Sequence, residues 1–92
     1  MLRLLFLLCF MTSCMTAAKR QRLSVAEQYE LGLKYMRRGM YTKAIEQLNK
    51  VRNFHRDDPH ATKAELAIGD VFFKKREWTL ARQAYTEFSR MH

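Results

Sequence analysis

A chain of 92 residues can form one small domain. Its single proline and three glycines favour helices over a turn-rich β fold, and both cysteines, Cys9 and Cys14, lie in the N-terminal apolar stretch, which excludes a disulfide framework or a zinc site. The net charge of +8 comes in short basic groups, which allow attraction to anionic lipid or nucleic acid but also suit solvated helix ends.

The N-terminus has the form of a secretion signal. After a short basic start comes an apolar run over 4–11, too short to cross a bilayer, which takes about 20 apolar residues. It has the size of a signal-peptide core. Small residues then precede Cys14, and this order resembles the lipobox of bacterial lipoproteins. The resemblance implies a leader over 1–13, a lipid on Cys14 and a tether over 14–23. The alternative is an ordinary signal peptide cut elsewhere, with Cys14 incidental.

A repeat of 37 residues covers the remainder of the chain. Seven pairs of positions keep their size class at this spacing: Leu31 and Ile68, Gly32 and Gly69, Tyr35 and Phe72, Tyr41 and Trp78, Ala44 and Ala81, Leu48 and Tyr85, Val51 and Phe88. Within each unit the apolar residues recur every three or four positions, which is the spacing of one helix face. The pattern predicts two helical hairpins, with Trp78 and Tyr85 in the core.

Capping residues predict where the helices begin and end. Ser24 and Glu27 have the spacing of a capping box, Gly39 separates the first two helices, and Asp58 before Pro59 marks the start of the third. We expect helices at 25–38, 41–55, 59–75 and 78–91. The fold class is therefore all-α, with one hairpin unit over 24–58 and a second over 59–92.

This arrangement resembles two TPR-like antiparallel hairpins that form a short α-solenoid. The chain departs from the TPR motif at Gln28 and Glu65, where the motif has tryptophan, and its unit is 37 residues long where about 34 are usual. Segments 51–55, 64–75 and 84–92 resemble the N-terminal region of the BamD family of outer-membrane assembly lipoproteins, whose members continue into further repeats.

The family resemblance implies a non-enzymatic, lipid-anchored protein of the outer membrane that faces the periplasm. Its partners would be β-barrel assembly subunits and unfolded outer-membrane protein clients, with no nucleic acid. Met15, where an aspartate would signal inner-membrane retention, agrees with that location. The alternatives are another cell-envelope TPR lipoprotein, such as a pilotin, or a basic nucleic-acid-binding module.

Positions that hairpin packing does not use predict a binding surface. They are Tyr29, Leu33 and Met36, edged by Arg37, on the first helix, and Leu66, Asp70 and Phe73, edged by Lys74, on the third. An exposed apolar stripe usually marks a partner site. We expect an extended peptide there, with pockets for its aromatic side chains and cations for a C-terminal carboxylate. The alternative is that the first-helix stripe packs on the tether or on another subunit.

Residues suited to catalysis or metal binding are sparse. His55, His60 and His92 are too scattered for a metal site. Asp57 and Asp58 are better explained by helix capping than by acid–base chemistry, and no phosphate-binding loop or nucleophile motif is present. We therefore expect no enzyme activity, no metal and no cofactor apart from the lipid on Cys14.

Overall fold

The computed structural model describes residues 22–92, and this part of the chain is all-helical with no strand. Its four helices are α1 (Val25–Arg37), α2 (Tyr41–Phe54), α3 (Pro59–Lys74) and α4 (Trp78–Met91). The predicted boundaries are confirmed to within one residue at each end. The leader over 1–13, Cys14 and the tether as far as residue 21 lie outside the described residues.

The predicted caps begin α1 and α3. At α1 the Ser24 hydroxyl accepts from the Glu27 amide at 3.1 Å, and the Glu27 carboxylate accepts from the Ser24 amide at 3.2 Å, so both partners of the capping box are satisfied. At α3, Asp58 accepts from the His60 amide at 2.8 Å. This backbone hydrogen bond, followed by one from the His60 side chain, lowers the pKa of Asp58.

The turns that end α1 and α3 have the same hydrogen bonds 37 residues apart. The Met40 amide donates to the Tyr35 carbonyl at 2.8 Å, and the Glu77 amide donates to the Phe72 carbonyl at 3.0 Å. Both turns are Schellman motifs, which need a residue in the left-handed region. Gly39 supplies it in the first turn, with φ 76°, and Arg76 supplies it in the second, with φ 64°.

Each turn folds two helices into an antiparallel hairpin around a glycine. A Cβ placed on Gly32 would lie 2.8 Å from the Leu48 side chain, and one placed on Gly69 would lie 2.6 Å from the Tyr85 ring. Both distances are shorter than any normal carbon contact, so only glycine permits this approach. The structure therefore explains two of the seven residue pairs by one shared contact.

The two hairpins pack side by side around one core. Fully or nearly fully buried residues of α2 and α3 form it: Ala44, Leu48 and Val51 from α2, with Ala64, Ala67, Ile68 and Val71 from α3. The first and third helices are parallel neighbours, because the Tyr29 and His60 rings, near the start of each, have centroids 5.5 Å apart. Both hairpin turns therefore lie at the same end of the molecule.

The α3 residues that are buried in this core differ in type from the residues at the equivalent positions of α1. Those positions are the buried Ala64, Ala67, Ile68 and Val71 on α3, and their equivalents on α1 are Glu27, Glu30, Leu31 and Lys34. Glu27, Glu30 and Lys34 are exposed. The outer face of α1 is thus polar where the same face of α3 is built from small and branched apolar residues.

Candidate functional site

The apolar stripe on α1 is half-buried. Tyr29, Leu33 and Met36 all pack against the core. The prediction that packing leaves these three residues free is therefore wrong. The cause is α3, which lies alongside α1 and brings His60 onto Tyr29. The alternative, that the tether or another subunit packs on them, stays a prediction. Burial, followed by the charges of Glu30 and Asp70, raises the pKa of Tyr29.

The equivalent stripe on α3, formed by Leu66, Asp70 and Phe73, is more exposed than the stripe on α1. Leu66 is 41% exposed and Phe73 is 54% exposed, and within residues 22–92 no helix follows to cover them as α3 covers α1. Between them Asp70 accepts a hydrogen bond from the Tyr85 hydroxyl at 2.5 Å. The Asp70 carboxylate is thus held against α4 by an internal partner.

Arg37 and Lys74, the predicted carboxylate-binding cations, are both exposed. They occupy equivalent positions in the last turns of α1 and α3. In the described part of the chain neither of them forms an ion pair. Both cations are therefore available to an anionic group of a ligand.

Trp78 was predicted as a core residue, and this is wrong. It is 56% exposed and packs edge-to-face on Phe73, with ring centroids 5.1 Å apart and an interplanar angle of 73°. Its equivalent, Tyr41, packs against the core because α3 lies beside it, whereas Trp78 opens the last described helix. The site therefore includes an exposed aromatic pair that the repeat alone did not reveal.

Tyr85, the other predicted core aromatic, is half-buried over Gly69. Burial, followed by its hydrogen bond to Asp70, raises the pKa of Tyr85 to about 12. Its hydroxyl is therefore a persistent hydrogen-bond donor at neutral pH. Its role is to join α3 and α4 and to fix the Asp70 side chain within the exposed stripe.

Two of the three histidines, His60 and His92, have side-chain partners nearby. His60 Nδ1 lies 2.7 Å from Asp58 Oδ1, and His92 Nε2 lies 3.0 Å from Glu65 Oε2. Over residues 22–92 no group of three or more potential ligands could hold a metal ion. Within the same range no helix is both long enough and apolar enough to cross a membrane.

Comparison of the chain with protein-family models, with curated proteins and with solved structures gives no match. The chemistry of the site therefore has to be argued from its own residues. It offers bulky apolar side chains on α3 and at the start of α4, with cations at the adjoining helix ends. Such a surface can bind an apolar, anionic partner.

Proposed function

We propose that this chain is a non-enzymatic, lipid-anchored protein-binding scaffold built from TPR-like repeats, and that it works in the assembly of β-barrel proteins into the outer membrane. The repeat of 37 residues, the two equivalent turns and the glycine contacts support the TPR-like part of the proposal. The outer-membrane part rests on the resemblance of the sequence to the BamD family and on the lipobox at Cys14.

One observation carries the binding proposal: Leu66 and Phe73 are exposed on one face of α3, beside the exposed Lys74. Trp78 extends this apolar surface from α4. An extended peptide that ends in an aromatic residue matches it, because its side chain can contact Phe73 and Trp78 while its carboxylate pairs with Lys74. Arg37, at the equivalent position of the first hairpin, offers a second cation.

The binding test uses a peptide that ends in phenylalanine, in free-acid and amidated forms. Phe73→Ala should weaken binding of the free acid about tenfold or more, since an aromatic contact of this kind is worth on the order of 1–2 kcal/mol. Phe54→Ala is the matched control, because Phe54 is also exposed but lies at the opposite end of the molecule. Equal affinity in the parent and in Phe73→Ala would refute this site.

The carboxylate contact can be tested separately. Amidation should weaken binding to the parent chain, and Lys74→Gln should weaken binding of the free acid by a similar factor. The amidated peptide should bind Lys74→Gln no worse than it binds the parent, because the ion pair is already absent. If amidation still weakens binding to Lys74→Gln by the full factor, Lys74 is not the carboxylate partner.

The lipid anchor can be tested by metabolic labelling with palmitate. We expect Cys14→Ala to abolish labelling, whereas Cys9→Ala, the matched control within the predicted leader, should leave the labelled product unchanged. Undiminished labelling of Cys14→Ala contradicts the anchor but leaves the peptide-binding surface untouched.

A further inference from the structure

The charge of the described chain is concentrated at one end of the molecule. Residues 34–43 and their repeat equivalents 71–80 contain the two hairpin turns, and we call this region the turn end. It carries one acid, Glu77, against seven cations: Lys34, Arg37, Arg38, Lys43, Lys74, Lys75 and Arg76. The other described residues carry seven cations and eight acids. The turn end therefore has a net charge of +6 and the other described residues a net charge of −1, so the whole excess of positive charge lies at the turn end.

Helix dipoles do not explain this concentration. Cations suit the C-terminal turns of α1 and α3, but the turn end also contains the N-termini of α2 and α4, where acids are favoured. Neither α2 nor α4 has an acid in its first turn, and Lys43 lies in the first turn of α2. Of the cations, Lys75 alone pairs with an acid, Glu77, at 3.3 Å. The charge is available for an external partner.

Large apolar side chains are exposed at the same end. Four of the eight exposed large hydrophobic residues of the described chain lie there: Met40, Phe73, Trp78 and Leu80. Because α1 and α3 are parallel neighbours, the two turns are about one helix spacing, roughly 10 Å, apart. Cations and bulky apolar groups thus share one edge, formed by the ends of helices.

We propose that the turn end docks on a membrane surface that contains anionic phospholipid. The exposed tryptophan, phenylalanine and aliphatic side chains enter the headgroup region, which tryptophan favours. The surrounding cations attract the lipid phosphates. Lipid is favoured over nucleic acid because Met40 and Leu80 are aliphatic and offer no ring for base stacking. This surface shares Phe73, Lys74 and Trp78 with the proposed peptide site, so peptide and membrane would compete for it, but the membrane proposal does not rest on peptide binding.

The single tryptophan of the chain makes a direct test possible, because all tryptophan fluorescence comes from Trp78. The full chain is mixed with vesicles of phosphatidylcholine alone or with added phosphatidylglycerol, with no peptide present. We expect the anionic vesicles to shift Trp78 emission to shorter wavelength and to reduce its quenching by acrylamide. Added salt should weaken both effects, because it screens the attraction to the lipid phosphates.

Emission from Trp78 also separates this contact from any binding by the N-terminal apolar stretch. A chain that floats with the vesicles while its Trp78 emission and quenching stay as in buffer is held elsewhere, and that result overturns the proposal. An oligonucleotide that alters Trp78 emission at lower concentration than the anionic vesicles also overturns it, in favour of a nucleic-acid surface.

Paired charge variants locate the contact. Arg38→Gln with Arg76→Gln removes two charges from the turn end, and the vesicle concentration needed for half of the emission shift should rise about 30-fold, given the usual strength of basic residues near anionic lipid. Arg56→Gln with Lys63→Gln removes two charges from exposed positions at the opposite end and should change it less than threefold. Equal effects of the two pairs would show attraction by net charge alone and would overturn the proposal.

Discussion

In the first hairpin, the α2 residues Ala44, Leu48 and Val51 are completely buried. In the second, only Ala81 of the equivalent residues on α4 is buried, while Tyr85 and Phe88 are half-exposed. The first hairpin has α3 packed over it, and in the described chain no element packs on the second in the same way. The same residue pattern thus gives a fully buried core in the first hairpin and a partly solvent-exposed aromatic surface in the second.

The contact between the two helices of a hairpin is also more polar in the second hairpin than in the first. Where the first hairpin has Leu33 and Leu48, the second has Asp70 and Tyr85, joined by a hydrogen bond. A hydrogen bond to a carboxylate tolerates nearby water, whereas two leucines gain most when water is excluded. The second hairpin is therefore suited to a more exposed position.

The difference in burial between the two hairpins predicts that substitution of Leu48 causes the largest loss of stability. Leu48→Ala should lower the free energy of unfolding by about 3 kcal/mol, because it leaves a cavity in the fully buried core. Tyr85→Ala, the matched change in the second hairpin, should cost less because water can fill the space. Urea unfolding followed by circular dichroism measures both. A cost for Tyr85→Ala equal to or above that of Leu48→Ala would break the comparison.

Replacement of the close-contact glycine should also cost more stability in the first hairpin than in the second. In Gly32→Ala the new methyl meets Leu48, which is fully buried and has no room to move, so we expect a loss of about 1–3 kcal/mol. In Gly69→Ala the methyl meets the Tyr85 ring, which is half-exposed and can swing outward. The loss should be smaller, and the melting temperatures of the two variants will show whether the order holds.

At the hairpin turns, the substitution in the second hairpin is expected to stabilise the chain, whereas the substitutions above destabilise it. Arg76 has φ 64°, which costs a residue with a Cβ about 1–2 kcal/mol, so Arg76→Gly should stabilise the chain by about 0.5–1 kcal/mol. Gly39→Ala is the matched control and should destabilise it, since a Cβ there has no contacts to offset the strain. Loss of stability in Arg76→Gly would mean that the arginine side chain holds the turn.

The smallest effect is the pH dependence that Tyr85 gives to the second hairpin. Because the pKa of Tyr85 is raised to about 12, above the usual value of about 10 for an unfolded tyrosine, its contribution is complete below pH 10 and is lost as the pH rises through 12. Solvent near the side chain keeps the effect small. The parent chain should lose more stability between pH 9 and pH 11 than Tyr85→Phe does, and parallel losses would exclude Tyr85 as the cause.

The helix boundaries and the glycine contacts could be predicted because their causes are local. A cap such as Ser24 acts within one turn of helix, and the repeat carries each prediction from one hairpin to the other. The same repeat would also have identified Arg76, 37 residues after Gly39, as the strained turn residue.

The exposure of the candidate site could not be predicted in the same way. Periodicity shows which residues share a face but not which element packs on that face. For this reason the sequence predicts that Tyr29, Leu33 and Met36 are free and that Trp78 is buried, whereas the structure shows the opposite for each. The basic residues of the two turns are visible in the sequence. Only the structure shows that both turns lie at the same end, which brings these cations together.

The polar outer face of α1 has one more consequence. A second molecule could extend the stack only by presenting its α1 to the α4 side of the first, as α3 is presented to the first hairpin. That contact would bring Glu27 and Glu30 to positions where α3 has alanines, and burying a carboxylate costs several kcal/mol unless it gains a cation as partner. Head-to-tail stacking of copies through this face of α1 is therefore less favourable than the stacking of the two hairpins inside each copy.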